Sequence, residues 1–191
     1  MAGKQAKILT PTELRRMLRF ASRSPTPERD SVMVLLTVRA GLRACEVAGL
    51  DWSMVVDPKG RITQIIELRD AVAKKGSGRR IPIHPELRSA LSRLRSPQER
   101  HGPIIVSLRG GGMRPNSIVN WFTFAFDAIG AHGCSSHSGR RTFVTQAARS
   151  AHKAGASLRD VQILAGHKSI ETTQRYIDGD SQAQHRLVHA L

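Results

Sequence analysis

Residues 136–177 constrain the fold most, because helix-forming runs alternate there with helix-ending signals at spacings that leave few arrangements open. His137 and Arg140 stand three apart, so on a helix they share one face and can address one ligand together. His167 and Tyr176 stand nine apart, about two and a half turns, so a continuous helix would point them in opposite directions. Gly166 is a natural C-cap, and Ser169, with Glu171 in the following turn, is a natural N-cap. The stretch therefore predicts a helix ending at Ala165, a corner carrying His167 and a new helix carrying Tyr176. Before it, residues 138–154 predict a helix ending at Gly155. Ser157 with Asp160 opens the next, which buries Leu158, Val161 and Leu164.

Upstream, Thr10-Pro11-Thr12-Glu13 places a cap, a first-turn proline and a third-position glutamate in helix-opening order, with Leu14, Met17, Leu18 and Ala21 inward. Ser24-Pro25-Thr26-Pro27 breaks the chain. From about Glu28, Val32, Met33, Leu35, Leu36 and Val38 predict a core helix ending at Gly41, with Arg43 opening a short helix over 44–48. After Trp52 the pattern changes to strands: Val55 and Val56, a turn at Asp57-Pro58-Lys59-Gly60, residues 62–68 and residues 80–83. Lys74-Lys75-Gly76-Ser77-Gly78 forms a cationic loop between the second and third strands. His84-Pro85-Glu86 opens another helix, and Asn116 is expected to cap one whose Trp121, Phe122 and Phe126 belong to the core. Gly110-Gly111-Gly112 lacks the lysine and hydroxyl residue of a nucleotide-binding loop. Residues 180–191 predict a terminal helix with Ala183, Leu187 and Leu191 on one stripe. The expected class is α+β, mainly α-helical, with a small three-stranded antiparallel sheet.

Charge narrows the partner. Thirty Lys and Arg against fifteen Asp and Glu give a net charge of +15 over 191 residues, a surplus spread along the chain that calls for a polyanion, nucleic acid first. The two cysteines, Cys45 and Cys134, form neither a disulfide framework nor a zinc knuckle. His185 and His189 have metal-compatible spacing but no third ligand, so no metal site is expected. No run of eighteen apolar residues and no signal-peptide-like start occur, which predicts a soluble, intracellular protein.

The residue types fit one chemistry. A phosphodiester under attack gathers negative charge on its equatorial oxygens, and planar guanidinium forks such as Arg43 and Arg140 match that geometry better than ammonium groups. His137 and His167 can donate hydrogen bonds or move a proton at neutral pH. Tyr176, the only tyrosine, can serve as a covalent nucleophile where cations favour its anion. The loop lysine can protonate a departing oxygen. No carboxylate cluster suited to a two-metal nuclease is visible.

Gly41-Leu42-Arg43-Ala44-Cys45-Glu46-Val47, the lysine loop leading into Arg79-Arg80-Ile81-Pro82-Ile83, His137-x-x-Arg140-Arg141-Thr142, Gly166-His167 and the step to Tyr176 together resemble the catalytic domain of tyrosine recombinases, the phage integrase family. The resemblance runs from about residue 8 to 178. It implies a basic lead (1–9), a catalytic domain (10–178) and a C-terminal helix (179–191) that packs on its own domain or docks on a neighbouring protomer. It implies cutting and rejoining of double-stranded DNA through a 3′-phosphotyrosyl intermediate, with no metal, ATP or other cofactor. Tyr176 would be the nucleophile, with Arg43, Arg140, His137, His167 and a loop lysine around the phosphate, and Glu46 would orient its neighbours. Counting eight residues back from Pro82 selects Lys74 as that lysine, whereas the Lys-Gly pairing selects Lys75; Lys74 is favoured. Lys74, Lys75, Arg79, Arg80 and Arg141 are the expected DNA contacts. The expected assembly is a homotetramer on two DNA sites, weakly associated without DNA, in the cytoplasm on the nucleoid of a bacterium or from a phage. Two departures stand out. Many members carry leucine at the position of Gly139, so the helix after His137 is expected to start later or pack more loosely. The amino-terminal helical domain that clamps the far side of the DNA is missing, as in short members or a catalytic piece of a longer one. The competing class is a non-catalytic DNA-binding regulator, since residues 157–177 also read as helix-turn-helix.

Overall fold

In the computed structural model, residues 6–73, 76–96 and 98–176 are described. Lys74 and Lys75, Lys4 of the basic lead, His185 and His189, and the terminal helix over 180–191 lie outside the described residues.

Helix α1 (Pro11–Ala21) starts where its cap predicts: the Thr10 side chain accepts from the backbone N–H of Glu13, and the Glu13 carboxylate accepts from the Thr10 N–H. Helix α2 (Pro27–Arg39) is the axis of the domain. It is buried from Val32 through Val38, as expected of a helix that is apolar all round, and α1 packs against it. It stops at Arg39, short of the Gly41 that the sequence suggests, and Gly41 makes the corner with φ +65°. Helix α3 (Ala44–Ala48) follows with Arg43 as its N-cap residue.

The sheet has two strands, β1 (Ile65–Leu68) and β2 (Arg79–Pro82), antiparallel with Ile66 opposite Ile81 and Glu67 opposite Arg80. The expected third strand at Val55 and Val56 is reduced to one isolated bridge, Val56 to Ile62. A single 3-10 turn (Trp52–Met54) precedes it and the turn at 57–60 follows at once, so too few extended residues remain to build a ladder. Helix α4 (Pro85–Leu94) packs on α2. Helix α5 (Pro115–Ala128) begins one residue before the expected cap: Arg114 is the N-cap and Pro115 takes the first helical position, where a missing N–H is harmless. Helix α6 (Ser138–Ser150) ends four residues early and hands over to a 3-10 turn (His152–Ala154) closed by Gly155. Helix α7 (Leu158–Ala165) has the predicted capping box of Ser157 and Asp160 and the predicted left-handed cap at Gly166, φ +62°. Helix α8 (Ile170–Gln174) is short, so Tyr176 sits in the turn just beyond it and not on the helix itself. Among the described residues no helix is long and apolar enough to cross a membrane.

Gly139 reverses its expectation. Helix α6 starts at Ser138 and crosses α2 so closely that a Cβ at Gly139 would lie 2.7 Å from the Cβ of Thr37, with the Thr37 hydroxyl nearer still. Thr37 is buried and its hydroxyl donates to the Val34 carbonyl, so it has little freedom to retreat. The space a side chain would need at this position is filled by the Thr37 and Val38 side chains of α2, so the helices pack closer here than a leucine would allow. Gly139→Leu is expected to cost at least about 3 kcal/mol, the upper range for overpacking a filled core. That is a fall in Tm of roughly 6–12 °C for a domain of this size, checked by thermal circular dichroism. An unchanged Tm would mean the helices can part.

Candidate active site

The site lies where the main core, centred on α2, meets a smaller cluster of Val144, Ala151, Val161 and Ala165 against which the Tyr176 ring packs. Arg140 joins the two halves. Its Nη1 donates to the Gly41 carbonyl at 2.5 Å and its Nη2 to the Ala165 carbonyl at 2.6 Å. Arg140, a residue only 3 % exposed, thus staples the corner before Arg43 to the corner before His167. Burial and the charge of Arg43 pull its pKa down to about 10, so it is still charged at neutral pH.

Glu46, fully buried, organises the arginines. It accepts from the Arg43 backbone N–H (2.9 Å) and Nη1 (2.8 Å), and from Arg79 Nη1 (3.1 Å) and Nη2 (3.0 Å). Burial alone would raise its pKa; the hydrogen bonds and charge of Arg79, followed by the Arg43 N–H and charge, overcome that and hold it at about 2. Arg79, expected to touch DNA, is instead turned inward. With both nitrogens on Glu46 it also donates from Nε to the Leu164 carbonyl at 2.8 Å, and its side chain is 4 % exposed. A Cβ at Gly166 would come within 3.0 Å of the Arg79 Cδ, so the glycine corner and the arginine are packed as one unit. Arg80 stays exposed, with only a loose 3.7 Å pairing to Glu67.

His167 occupies the predicted corner, nearly buried. Its Nδ1 meets the Thr173 hydroxyl at 2.9 Å and its carbonyl accepts from Gln162 Nε2 at 3.0 Å. Sequence reasoning missed both partners. A signal existed for Gln162, which stands three before Ala165 on the inward stripe of α7, where a buried polar side chain needs a reason. Thr173 gave none. Tyr176 stacks on His167 at 5.4 Å between centroids and 24° between planes, and the Arg141 guanidinium lies over its ring at 5.9 Å. Tyr176, His137, Arg140, Arg141 and Arg175 line one open cleft of about 420 Å³. His137, the exposed cap residue of α6, contributes from its rim. His137, Arg140 and Tyr176 thus share one cleft, with His167 stacked on the Tyr176 ring and Arg43 near enough for its charge to act on Arg140. The helix-turn-helix reading finds no support, because α8 has five residues and turns Thr173 inward.

His167 is pushed down to about 4 by burial first and then by Arg140, Arg43 and Arg79. It is thus neutral at pH 7, with Nδ1 engaged by the Thr173 hydroxyl. Because the folded pKa lies below the ordinary 6.5, the unfolded chain binds a proton between pH 6.5 and 4 that the fold refuses. Stability from this group is complete above pH 6.5 and is lost as pH falls towards 4, by about 2–3 kcal/mol. Glu46 and Glu13, both held at about 2, act only below pH 4.5. Urea unfolding should show this slope between pH 6.5 and 4.5, and His167→Gln should flatten it; a slope that survives the substitution would assign it elsewhere.

A mainly helical domain beside a small antiparallel sheet is the fold that tyrosine recombinase catalytic domains also have. Residues 7–183 match the phage integrase family model, and the chain belongs to that family. It is 30% identical over 159 residues to the tyrosine recombinase XerC of Myxococcus xanthus, covering 78% of this chain and 49% of that protein. It is 31% identical over 167 residues to XerC of Corynebacterium efficiens, covering 85% and 49%. The chain thus spans about half the length of these relatives. Among solved structures it shares its fold with the XerA recombinase (TM-score 0.72, 23% identity, 96% of this chain and 64% of that one). It shares it also with a lambda integrase dimer bound to a COC′ core site (TM-score 0.67, 22% identity, 92% and 60%).

Proposed function

We propose that the chain is the catalytic part of a site-specific DNA recombinase. Its Tyr176 oxygen attacks a backbone phosphorus, the bond to the 5′ oxygen breaks, and that oxygen leaves as a 5′-hydroxyl while a 3′-phosphotyrosyl link holds the cut strand. A 5′-hydroxyl from a partner duplex then attacks the link, releasing Tyr176. One phosphate ester is exchanged for another in each step, so no external energy is needed. Arg43 and Arg140 hold the non-bridging oxygens, His167 adds a hydrogen bond from Nε2, and His137 takes the phenol proton from the rim. The loop lysine, Lys74 or Lys75, supplies the proton to the leaving oxygen. Arg80 and the loop lysines contact the DNA backbone. Two duplexes imply four protomers, with residues 179–191 available to link them, and a DNA substrate implies the cytoplasm and nucleoid.

The observation that carries this reading is the Tyr176 ring stacked on His167 in the same cleft as Arg140. The relatives named as tyrosine recombinases and the lambda integrase bound to its core site support it. The test is a covalent trap with nicked duplexes drawn from repeats flanking the gene, from which the short strand diffuses away after cleavage. A protein–DNA adduct should persist on a denaturing gel and vanish in Tyr176→Phe, while binding by gel shift is kept. Binding without any adduct would leave a DNA-binding protein and remove the enzyme.

A further inference from the structure

Arg140 and Arg141 are neighbours on α6 and therefore point about 100° apart. Arg140 turns inward onto two carbonyls, whereas Arg141 reaches across the cleft to the nucleophile, its guanidinium carbon 5.9 Å from the Tyr176 ring centroid. Two further observations bear on what it does there. The Arg141 Nε is buried and has no hydrogen-bond partner among the described residues, so no carboxylate or carbonyl that would explain the side chain holds that atom. The Tyr176 backbone is fixed by its N–H to the Thr173 carbonyl (3.0 Å) and by a longer contact from the Thr145 hydroxyl (3.4 Å), neither of which sets the ring. The ring is set by what lies against it: His167, itself pinned by Thr173 and Gln162, the apolar cluster, and Arg141.

We propose that Arg141 is a positioning residue for the nucleophile: its guanidinium, lying over the Tyr176 ring, holds the phenol beside His167 and Arg140 and favours the negative charge that ring gains during attack. A cation is drawn to the negative face of an aromatic ring within about 6 Å, by roughly 0.5–2 kcal/mol depending on solvation. The attraction grows as the phenol loses its proton, so the contact is worth more in the transition state than at rest, which is the condition for raising a rate. This rests on Tyr176 being the nucleophile, and it differs in its consequences from a phosphate contact by the same arginine.

Because Tyr176 is the only tyrosine, replacing it with 3-fluorotyrosine throughout the full chain puts a fluorine NMR probe on that ring alone. The expected result for Arg141→Met, checked as folded by circular dichroism, is twofold. Without DNA the fluorine resonance moves by more than its linewidth. With the nicked duplex the rate of adduct formation at saturating DNA falls about 10-fold, the mid-range of a cation–ring contact, while the half-saturating DNA concentration changes less than about threefold. Arg141→Lys keeps the charge and should restore part of the rate. An unmoved resonance and an unchanged saturated rate, with a higher half-saturating concentration, overturn the proposal and make Arg141 a phosphate contact. If the unsubstituted chain forms no adduct at all, the nucleophile reading of Tyr176 falls, and the resonance still decides whether Arg141 holds the ring.

Discussion

Arg140→Ala is expected to lower adduct formation by about 10³-fold, while binding to non-specific duplex at low salt falls only a few-fold. The two numbers differ because the residue does two unequal things. Removing one donor from the place where charge develops typically costs roughly 10²–10³ in rate. Here the loss is at the upper end, since the same side chain also fixes the corners that carry Arg43 and His167. Binding, by contrast, is a sum over many phosphate contacts, and one of thirty cations changes the slope of affinity against salt by at most about one. The substitution also strands the Gly41 and Ala165 carbonyls, each worth about 1–3 kcal/mol when buried without a donor, so both assays belong at low temperature with folding verified. Arg140→Lys keeps the charge yet cannot span both carbonyls; its adduct should recover little. If binding and adduct fall together, Arg140 is an anchor for DNA and not a clamp on the reacting phosphate.

How much of this was legible in the sequence follows the range of the forces involved. The caps at Thr10, Ser157 and Gly166 could be read directly because they depend on residues within one turn, and each appears where its spacing put it. The corner at His167 is the most useful of these, since it explains how residues nine apart come to stack. What could not be read depended on partners distant in sequence. Arg79 looks like a surface arginine beside a lysine loop until α3 delivers Glu46 from thirty-three residues away, whereupon its charge is neutralised in the interior. Gly139 looks like a weak start for a helix until Thr37 of α2 occupies the space its side chain would need. The missing third strand was a local misreading: Val55 and Val56 have the composition of a strand, but two residues between a 3-10 turn and a tight loop cannot form one.

Arg79→Met tests whether that buried pairing is structural to the site, and it should be the most destabilising single change among the charged residues. Glu46 is fully buried and now shares its charge between two arginines. With Arg79 gone it keeps Arg43, but half of its bonded hydrogens disappear and the Leu164 carbonyl loses its donor as well. Breaking a buried pair by removing one partner costs about 3–5 kcal/mol, because the desolvated charge remains. At 2–4 °C per kcal/mol this is a Tm lower by roughly 6–20 °C. The pH dependence adds a second signature. Glu46 has a folded pKa depressed to about 2, so its contribution is present above pH 4.5 and lost as pH falls towards 2. In Arg79→Met the folded pKa rises and the loss begins at higher pH. Adding Glu46→Gln removes the stranded charge, and the double variant should be more stable than the two single losses summed, with a coupling of at least about 2 kcal/mol. Methionine fills most of the volume of the arginine stem, so a packing defect alone would leave the two substitutions additive. Additivity would therefore show that Arg79 supports the His167 corner through its bond to the Leu164 carbonyl and that Glu46 is held by Arg43 alone.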